Sequence, residues 1–469
     1  MLFPTIQFAV FFLVVLTANW LLLPYRGRWK LFMLGASYFF YGAWDWRFIF
    51  LLIASTLINH ATAVALTRLG DDRRRRLALG LGVAANLGIL AWFKYYGFFA
   101  SSLINLFRSL GVELPVPLLE VTLPVGISFF TFQALSYVID VFRGRQEQVP
   151  ILDFAVYLAF FPQLVAGPIV RSSEFLPQLH GPKDPRRVDA ARGFGLIAGG
   201  LFKKVVVANT LAGAIVDPVF ASPSQFTALE VIMAVYGYAV QIYADFSGYT
   251  DIAIGVAVLM GFRFPPNFNS PYAALSIQDF WRRWHMTLSR WLRDYLYIPL
   301  GGNRGGRYRT YRNLTLTMLL GGLWHGAAWT FVIWGGFHGL LLAWERLRAE
   351  RGRVPAADTP ARRIMRRLVT FHLVCAGWIL FRAESMSRVG EILGRLADWG
   401  PAPAVTPAVL ALIGGGIAVQ YLPDGFRSRM QAGFSRLSPV AMTALLAGFL
   451  LILDGLGPEG VAPFIYFQF

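Results

Sequence analysis

The stretch Asn313–Trp344 reads NLTLTMLLGGLWHGAAWTFVIWGGFHGLLLAW and contains no Asp, Glu, Lys or Arg over 32 residues. Its ionisable side chains are His325 and His338. A helix that crosses a bilayer needs about 20 mostly apolar residues, so this run is long enough to lie inside a membrane. Other uncharged runs occur along the chain, at Met1–Tyr25, Phe48–Thr67 and Trp399–Pro423.

The composition of the 469-residue chain agrees with these runs, because 56% of the residues are hydrophobic and only 15% are charged. Soluble domains contain about 25% charged residues, so an ordinary water-facing surface is excluded. The high hydrophobicity excludes a disordered chain. The single cysteine, Cys375, excludes a disulfide scaffold and is expected to be a small buried side chain. We therefore predict an all-α polytopic membrane protein with roughly ten to twelve membrane-embedded segments.

Cations near the ends of the apolar runs predict the orientation of the chain. The first cation, Arg26, follows the first apolar run, so Met1–Leu23 is better interpreted as a retained helix than as a cleaved signal peptide. Basic and non-basic loops then alternate from this end. At the other end the basic segment Asp424–Arg436 is followed by the acidic segment Asp454–Glu459. Both termini are therefore expected outside the cytoplasm.

The middle of the chain does not follow this alternation. The segments Arg282–Arg312 and Arg346–Arg367 each contain eight arginines and should both face the cytoplasm. The 32-residue uncharged run separates them, whereas two full crossings need about 40 residues. We therefore predict a broken or re-entrant pair of half-helices. The predicted interruptions are Gly321, Gly322, Gly335 and Gly336. Irregular backbone at membrane depth is tolerated where it is buried or lines a cavity, so this run is a candidate site.

Most of the net charge of +17 lies around this run, because Arg282–Arg367 contains 16 arginines and four acidic residues, a balance of +12. One interpretation is the usual positive bias of cytoplasmic loops, with contacts to membrane lipids. The other is a docking surface for an anionic partner, such as a phosphate-bearing cofactor or an acidic carrier protein. A nucleic-acid partner does not suit a polytopic membrane protein.

The segment Ser276–Ile298, SIQDFWRRWHMTLSRWLRDYLYI, contains apolar side chains every three to four residues. This spacing predicts one amphipathic helix lying in the membrane interface. Ser276 followed by Asp279 resembles a capping box at the start of that helix. His285 borders the apolar face.

An ionisable residue in an apolar membrane run is costly and indicates function. His338 lies near the end of its run, whereas His325 lies deeper and has glycines on both sides, so we favour His325. The chain has no HxxxH or HExxH spacing for a metal and no GxSxG motif for a serine nucleophile. Asp245 and Asp251 lie six residues apart in an apolar stretch, where helix capping or helix packing is the favoured role. The chemistry that remains is general base catalysis by histidine on an acyl donor.

Long segments of the chain closely resemble the membrane-bound O-acyltransferase family, in particular the bacterial branch that acetylates alginate and, more distantly, the branch that D-alanylates teichoic acid. The matching motifs are NFNSPYAALSIQDFWRRWHMTLSRWLRDYLYIPLGGNRGG (267–306), TYRNLTLTMLLGGLWHGAAWTFVIWGGFHG (310–339), LPVGISFFTFQALSYVIDVFRG (123–144), FPQLVAGPIVR (161–171), QIYADFSGYTDIAIG (241–255) and the ending PFIYFQF (463–469).

The resemblance implies a ring-like bundle of about eleven transmembrane helices, with re-entrant elements around a central tunnel. It implies that His325 is the essential histidine and that His285 is its neighbour in the tunnel. It also implies a bacterial inner-membrane protein with both termini in the periplasm and with no bound cofactor. The expected donor is a cytoplasmic acyl thioester, acetyl-CoA or acyl carrier protein, and periplasmic acetyltransferase partners place the acetyl group on a polysaccharide.

These arguments together predict the functional residues. His325 is expected to be the general base, and His285 to position or polarise the thioester or the acceptor. The expected substrate-binding residues are Trp324, Trp281, Arg282, Arg283, Arg304 and Asp245. The chain is predicted to form one domain, residues 1–469, with N-terminal helices in 1–262, a catalytic re-entrant core in 263–345, and a basic loop with C-terminal helices in 346–469.

Two alternatives and the acceptor stay open. A transporter would flip an acylated or lipid-linked precursor without making a covalent bond, and a second matching half of the chain would be its sign. A scaffold for polymer export would not need either histidine. Some family members carry a longer polar insert where Asp424–Arg436 is short, so acetylation of another exopolysaccharide or of peptidoglycan fits as well as acetylation of alginate.

Overall fold

The computed structural model describes residues 1–115, 117–119, 121–352 and 359–456, and within them the chain is helical with no β-strand. The predicted all-α class is therefore confirmed. The predicted acidic segment Asp454–Glu459 extends beyond these residues, and the ending 463–469 lies outside them. The helices are α1 (Ile6–Leu22), α2 (Arg26–Gly42), α3 (Arg47–Arg68), α4 (Asp72–Ser109), α5 (Ile127–Phe142), α6 (Ile151–Ala159), α7 (Phe161–Leu164), α8 (Ser172–His180), α9 (Ala190–Ala221), α10 (Ala228–Leu259), α11 (Ile277–Arg283), α12 (Met286–Leu292), α13 (Arg307–His325), α14 (Trp329–Glu350), α15 (Pro360–Arg382), α16 (Met386–Arg395), α17 (Pro407–Ala418), α18 (Asp424–Ser435) and α19 (Pro439–Leu456).

Helices long and apolar enough to cross a membrane confirm the membrane class. Among the described residues five helices qualify by length and composition: α3, α4, α9, α10 and α15. Shorter apolar helices occur at Ile6–Leu22, Ile127–Phe142, Pro407–Tyr421 and Val440–Leu451. The expected number of ten to twelve membrane-embedded segments stays a prediction.

The chain forms two compact units. The first unit contains Met1–Val188 and Ala257–Phe264, and the second contains Asp189–Val256 and Pro265–Phe469. In the first unit, three buried phenylalanine rings pack with centres 4.8 to 5.2 Å apart: Phe160, Phe175 and Phe262. In the second unit, α9 and α10 approach so closely that a side chain at Gly200 would meet the Gly248 carbonyl oxygen at 2.5 Å. The predicted single domain with its three parts stays a prediction.

Helices α13 and α14 of the second unit form an antiparallel hairpin held by close backbone contacts. A Cβ atom added to Gly322 would lie 2.2 Å from the carbonyl oxygen of Phe331. A Cβ atom on Gly335 would lie 2.3 Å from the carbonyl oxygen of Met318. These positions therefore have room for glycine alone, as is common where membrane helices pack backbone to backbone.

The hairpin confirms the paired segments but not their predicted interruptions. Gly321, Gly322, Gly335 and Gly336 lie inside helices, where two of them supply the close contacts, so the predicted breaks at these glycines are wrong. The chain turns at 326–328, where Gly326 and Ala328 have extended backbones. The Tyr311 hydroxyl donates a hydrogen bond of 2.7 Å to Glu350, which brings the start of α13 and the end of α14 together. The two basic segments thus leave the hairpin at the same end.

The predicted single helix over Ser276–Ile298 is also wrong, because α11 ends at Arg283 and α12 begins at Met286. The cap at its start is confirmed, since the Ser276 hydroxyl accepts a hydrogen bond of 3.1 Å from the Asp279 backbone. The break is caused by backbone bonds to an earlier segment. Asn269 N–H donates to the Arg283 carbonyl oxygen, and Met286 N–H donates to the Asn267 carbonyl oxygen, both at 2.9 Å. Side-chain periodicity contains no information about such bonds.

We predict that Gly335→Ala weakens the hairpin and that its neighbour Gly336→Ala does not. The new methyl at 335 meets a backbone oxygen at 2.3 Å, whereas at 336 it meets the end of the Leu319 side chain at 3.4 Å. We expect a loss of about 1–3 kcal/mol in the free energy of unfolding for the first variant. The second gains up to about 1 kcal/mol because alanine favours helix. Thermal unfolding of both purified variants in one detergent tests this, and equal midpoints would contradict it.

Candidate active site: two buried histidines

The second unit brings His285 and His325 together in its interior. His325 is the last residue of α13, His285 lies between α11 and α12, and they are 3% and 0% exposed. Their ring centres are 6.5 Å apart, which is too far for a direct hydrogen bond between ring nitrogens. The separation suits one polar atom hydrogen-bonded to both rings. Of the two histidines in the apolar run, the one favoured by the sequence is the one that meets His285.

Aromatic rings surround both histidines. The Trp324 ring centre is 6.1 Å from that of His285 and 5.0 Å from that of His325. Further rings lie 4.6 to 5.3 Å from one or the other histidine: Phe246 on α10, Trp334 on α14 and Phe381 on α15. All of these rings are buried. They exclude water from the imidazoles, and an acyl thioester is protected from hydrolysis in such a site.

The backbone of His285 is left-handed, with φ of 41° and ψ of 54°. This conformation costs a residue with a side chain about 1–2 kcal/mol. It is maintained by Asn267, whose side-chain oxygen lies 3.1 Å from Nδ1 of His285 and accepts a hydrogen bond of 3.2 Å from the Thr287 backbone. Strained residues that the surrounding structure holds in place are concentrated at active sites, so the strain supports a functional role for His285.

The third histidine of the region, His338, lies behind a tryptophan. The Trp334 ring centre is 5.1 Å from that of His325 and 5.0 Å from that of His338. His338 is fully buried, and its Nδ1 accepts a hydrogen bond of 3.4 Å from Trp281. Its Nε2 faces Gly377, where a Cβ atom would lie 2.8 Å away. His338 therefore packs in a separate aromatic cluster.

The predicted substrate-binding residues occupy different environments. Trp324 packs against both histidines, and the half-buried Trp281 packs against His338. Arg282 and Arg304 are exposed. The remaining two are ion-paired, Arg283 with Asp279 at 2.8 Å and the buried Asp245 with Lys204. Whether these side chains bind substrate stays a prediction.

Acidic residues near the arginine-rich segments have structural partners. The Glu345 carboxylate on α14 accepts hydrogen bonds from the backbone of Ile277 and Gln278 at 2.7 and 2.9 Å, and so caps α11. Hydrogen bonds from Tyr311 and Arg346 hold the pKa of the Glu350 carboxyl below its ordinary value. With these acids committed to the fold, the exposed arginines retain a positive surface.

Three residues of the site were not predicted from the sequence: Asn267, Trp334 and Phe381. Asn267 follows two prolines in a stretch without helical spacing, so no periodic pattern marks it. Trp334 lies nine residues after His325, and its contact depends on the turn between the helices. Phe381 comes from another helix, α15, and a single sequence does not reveal that pairing.

The described residues show no other cluster with similar chemistry. No group of three His, Cys, Asp or Glu side chains in these residues could hold a metal ion. Two surface grooves of about 590 and 430 Å³ lie elsewhere, one between α1 and α2 and the other on one face of α15. Cys375 is buried, as predicted.

Comparison with known proteins gives consistent matches. The profile of the family described as MBOAT, membrane-bound O-acyltransferase family, matches residues 90–365. The protein named "Probable alginate O-acetylase AlgI" of Pseudomonas aeruginosa is 37% identical to this chain, over the full length of both. The peptidoglycan O-acetyltransferase of Helicobacter pylori is 39% identical over 78% of this chain and 73% of its own. The teichoic acid D-alanyltransferase of Bacillus subtilis is 30% identical over 55% of this chain and 69% of its own.

We predict that Asp245 stabilises the fold through Lys204. Both side chains are buried and form an ion pair, with Lys203 and Asp251 as a half-exposed second pair at 2.6 Å. Asp245→Asn leaves a buried cation without its counter-charge, and we expect it to lower the free energy of unfolding by about 3–5 kcal/mol. The apolar double variant Lys204→Met with Asp245→Leu should recover most of that loss. Chemical or thermal unfolding in detergent measures this. A double variant no more stable than Asp245→Asn would show that the pair is not what Asp245 contributes.

Proposed function

This chain belongs to the membrane-bound O-acyltransferase family, and we propose that it transfers acetyl groups from a cytoplasmic thioester to hydroxyl groups of a polysaccharide outside the cytoplasm. It is a membrane O-acyltransferase by family and by the similarity to O-acetylating relatives. The observation that carries the catalytic part of the proposal is the pair of buried histidine rings with centres 6.5 Å apart.

The proposed reaction uses both histidines. An acceptor oxygen between the rings gives its proton to one imidazole and attacks the carbonyl carbon of the thioester. A new C–O bond forms, the C–S bond breaks, and the proton passes to the departing sulfur. A positioned base contributes about 100- to 10,000-fold to the rate. The surrounding aromatic rings keep water from competing with the acceptor hydroxyl.

The proposed donor is an acyl thioester that carries phosphate, either acetyl-CoA or an acyl carrier protein. The support is the balance of +12 in Arg282–Arg367, with Arg282 and Arg304 exposed. Arginine is well suited to phosphate because its planar group donates paired hydrogen bonds. We assign this surface to the cytoplasmic side, where such donors are made.

The proposed architecture is a ring of about eleven membrane helices with a tunnel to the histidines. The apolar part of α13, from Asn313 to His325, has 13 residues. At 1.5 Å per residue it is about 20 Å long, which is shorter than the hydrocarbon core of about 30 Å. This length favours a re-entrant hairpin whose tip, with His325, lies at membrane depth. Because both histidines are buried, we infer that surrounding side chains such as Trp324 move when substrates enter.

The proposed acceptor is a cell-surface polysaccharide, reached with the help of periplasmic partner proteins. The named activities of the relatives support acetylation of alginate, of another exopolysaccharide or of peptidoglycan. The full-length similarity to the alginate protein favours an alginate-like polymer. We place the protein in a bacterial inner membrane with both termini in the periplasm.

We predict that His325→Gln abolishes transfer, whereas His338→Gln does not. Glutamine removes the imidazole in both cases, but at 338 it still offers an acceptor to the Trp281 indole, 3.4 Å from His338 Nδ1. We expect kcat for His325→Gln to fall by at least about 100-fold, the contribution of a positioned base. The measurement is transfer of labelled acetyl from acetyl-CoA or acetylated carrier protein to a hydroxyl acceptor, in lipid nanodiscs.

Matched thermal midpoints of the two glutamine variants provide the control for folding. Label that crosses the bilayer without forming an ester would support a transporter instead. Full transfer by a folded His325→Gln variant would refute the proposed mechanism.

A further inference from the structure

The orientation of the Asn267 amide can be read from its neighbours. The Thr287 backbone N–H lies 3.2 Å from one side-chain atom of Asn267, and the Thr287 hydroxyl lies 2.9 Å from the same atom. A backbone N–H can only donate a hydrogen bond. The atom it meets must therefore be the amide oxygen, Oδ1, and not the NH2 group.

The same oxygen determines where His285 carries its proton. Oδ1 lies 3.1 Å from Nδ1 of His285. An amide oxygen only accepts hydrogen bonds, so Nδ1 must donate and must carry the hydrogen. A neutral imidazole has one such hydrogen, and Nε2 is then left with a lone pair.

We propose that Asn267 is a positioning residue that holds His285 in the Nδ1–H form, so that Nε2 of His285 takes the proton of the acceptor hydroxyl. The assignment rests on the proposed function and deepens it. A ring with a lone pair at Nε2 cannot donate to the thioester carbonyl, so His285 serves the acceptor. This differs from the expectation that His325 is the base. His325 then donates a ring N–H to the bridging oxygen or to the thioester.

Proton and bonds balance in this assignment. The hydroxyl proton moves to Nε2 of His285 while the oxygen attacks the carbonyl carbon. The C–S bond breaks, and the departing thiolate takes up that proton, which returns His285 to its neutral Nδ1–H form. Throughout this cycle the bond from Nδ1 to Asn267 is retained, and it stabilises the positive imidazolium while the proton is held.

The left-handed backbone of His285 strengthens the argument. Asn267 contacts this segment with both its backbone and its side chain, because its carbonyl oxygen accepts from Met286 N–H at 2.9 Å. The imidazole and the amide are thus fixed relative to each other at two points. The groups that face His285 from packed elements are His325 and Trp324 on α13 and Phe246 on α10. Beside Phe246, Asp245 is ion-paired with Lys204.

Nitrogen NMR of the full chain with labelled histidine tests the tautomer without relying on activity. The six histidines are few enough for the His285 signals to be identified as those missing from His285→Gln. We expect the neutral ring to carry its hydrogen on Nδ1 and to have a lone pair on Nε2. A hydrogen on Nε2 would overturn the proposal. Because this readout needs no substrate, it also separates failure of the inference from failure of the proposed function.

Kinetics of two Asn267 variants test the catalytic consequence. Asn267→Leu removes the acceptor, and we expect kcat to fall at least about tenfold. Asn267→Asp keeps an acceptor oxygen and adds a negative charge that stabilises the protonated ring. The base form of His285 then appears only at higher pH, so the acid limb of the kcat/KM profile should move up by about one pH unit or more. Its activity above that limb should recover.

The control variant is Asn19→Leu, which removes an equally buried asparagine that accepts a hydrogen bond of 2.9 Å from Trp29 in the first unit. It should lose stability but keep the pH profile and the kcat of the folded protein. An Asn267→Asp enzyme that folds and shows an unmoved acid limb would overturn the proposal. If Asn267→Leu does not fold, the aspartate variant and the NMR measurement still decide it.

Discussion

The active site depends on contact between the backbones of α13 and α14, at positions where neither helix has a side chain. Gly322 lies against the Phe331 carbonyl and Gly335 against that of Met318, so the helices are nearer than side chains would allow. Dispersion contacts of this kind replace the hydrophobic effect, which contributes little between helices in lipid. The close approach fixes the turn that follows His325, and it presents Trp334 of α14 to the same imidazole.

The hairpin also determines where the other histidine lies. Its residue Glu345 accepts two backbone N–H groups at the start of α11, the helix that ends two residues before His285. The backbone bonds to Asn267 and Asn269 fix the other end of that helix. His325 is thus placed by the hairpin directly and His285 by a helix capped from it. Two residues 40 positions apart in the sequence acquire one common reference, which a site with a geometry precise to fractions of an ångström requires.

The sequence predicted the class of fold and the identity of the histidine pair, because both depend on composition and on long motifs. Missing charges indicate a membrane, and two arginine-rich segments around one short run require that the run turns back. The position of the turn was predicted wrongly. Glycine in a membrane helix serves close packing as well as breaking, and a single sequence does not distinguish the two uses. The break at His285 depends on hydrogen bonds from Asn267 and Asn269, which lie 14 to 18 residues earlier, and helical periodicity has no access to bonds of that range.

The shared exit of the two basic segments has a consequence for biosynthesis. The starts and ends of α13 and α14 meet where Tyr311 bonds Glu350, so both flanking segments remain on the side from which the ribosome delivers the chain. The translocon therefore cannot insert these helices one after the other as independent crossings. They enter as a closed pair, after α14 has been synthesised and the glycine contacts can form. The catalytic centre of this enzyme is accordingly assembled late and in one step, on a frame of helices already in the bilayer.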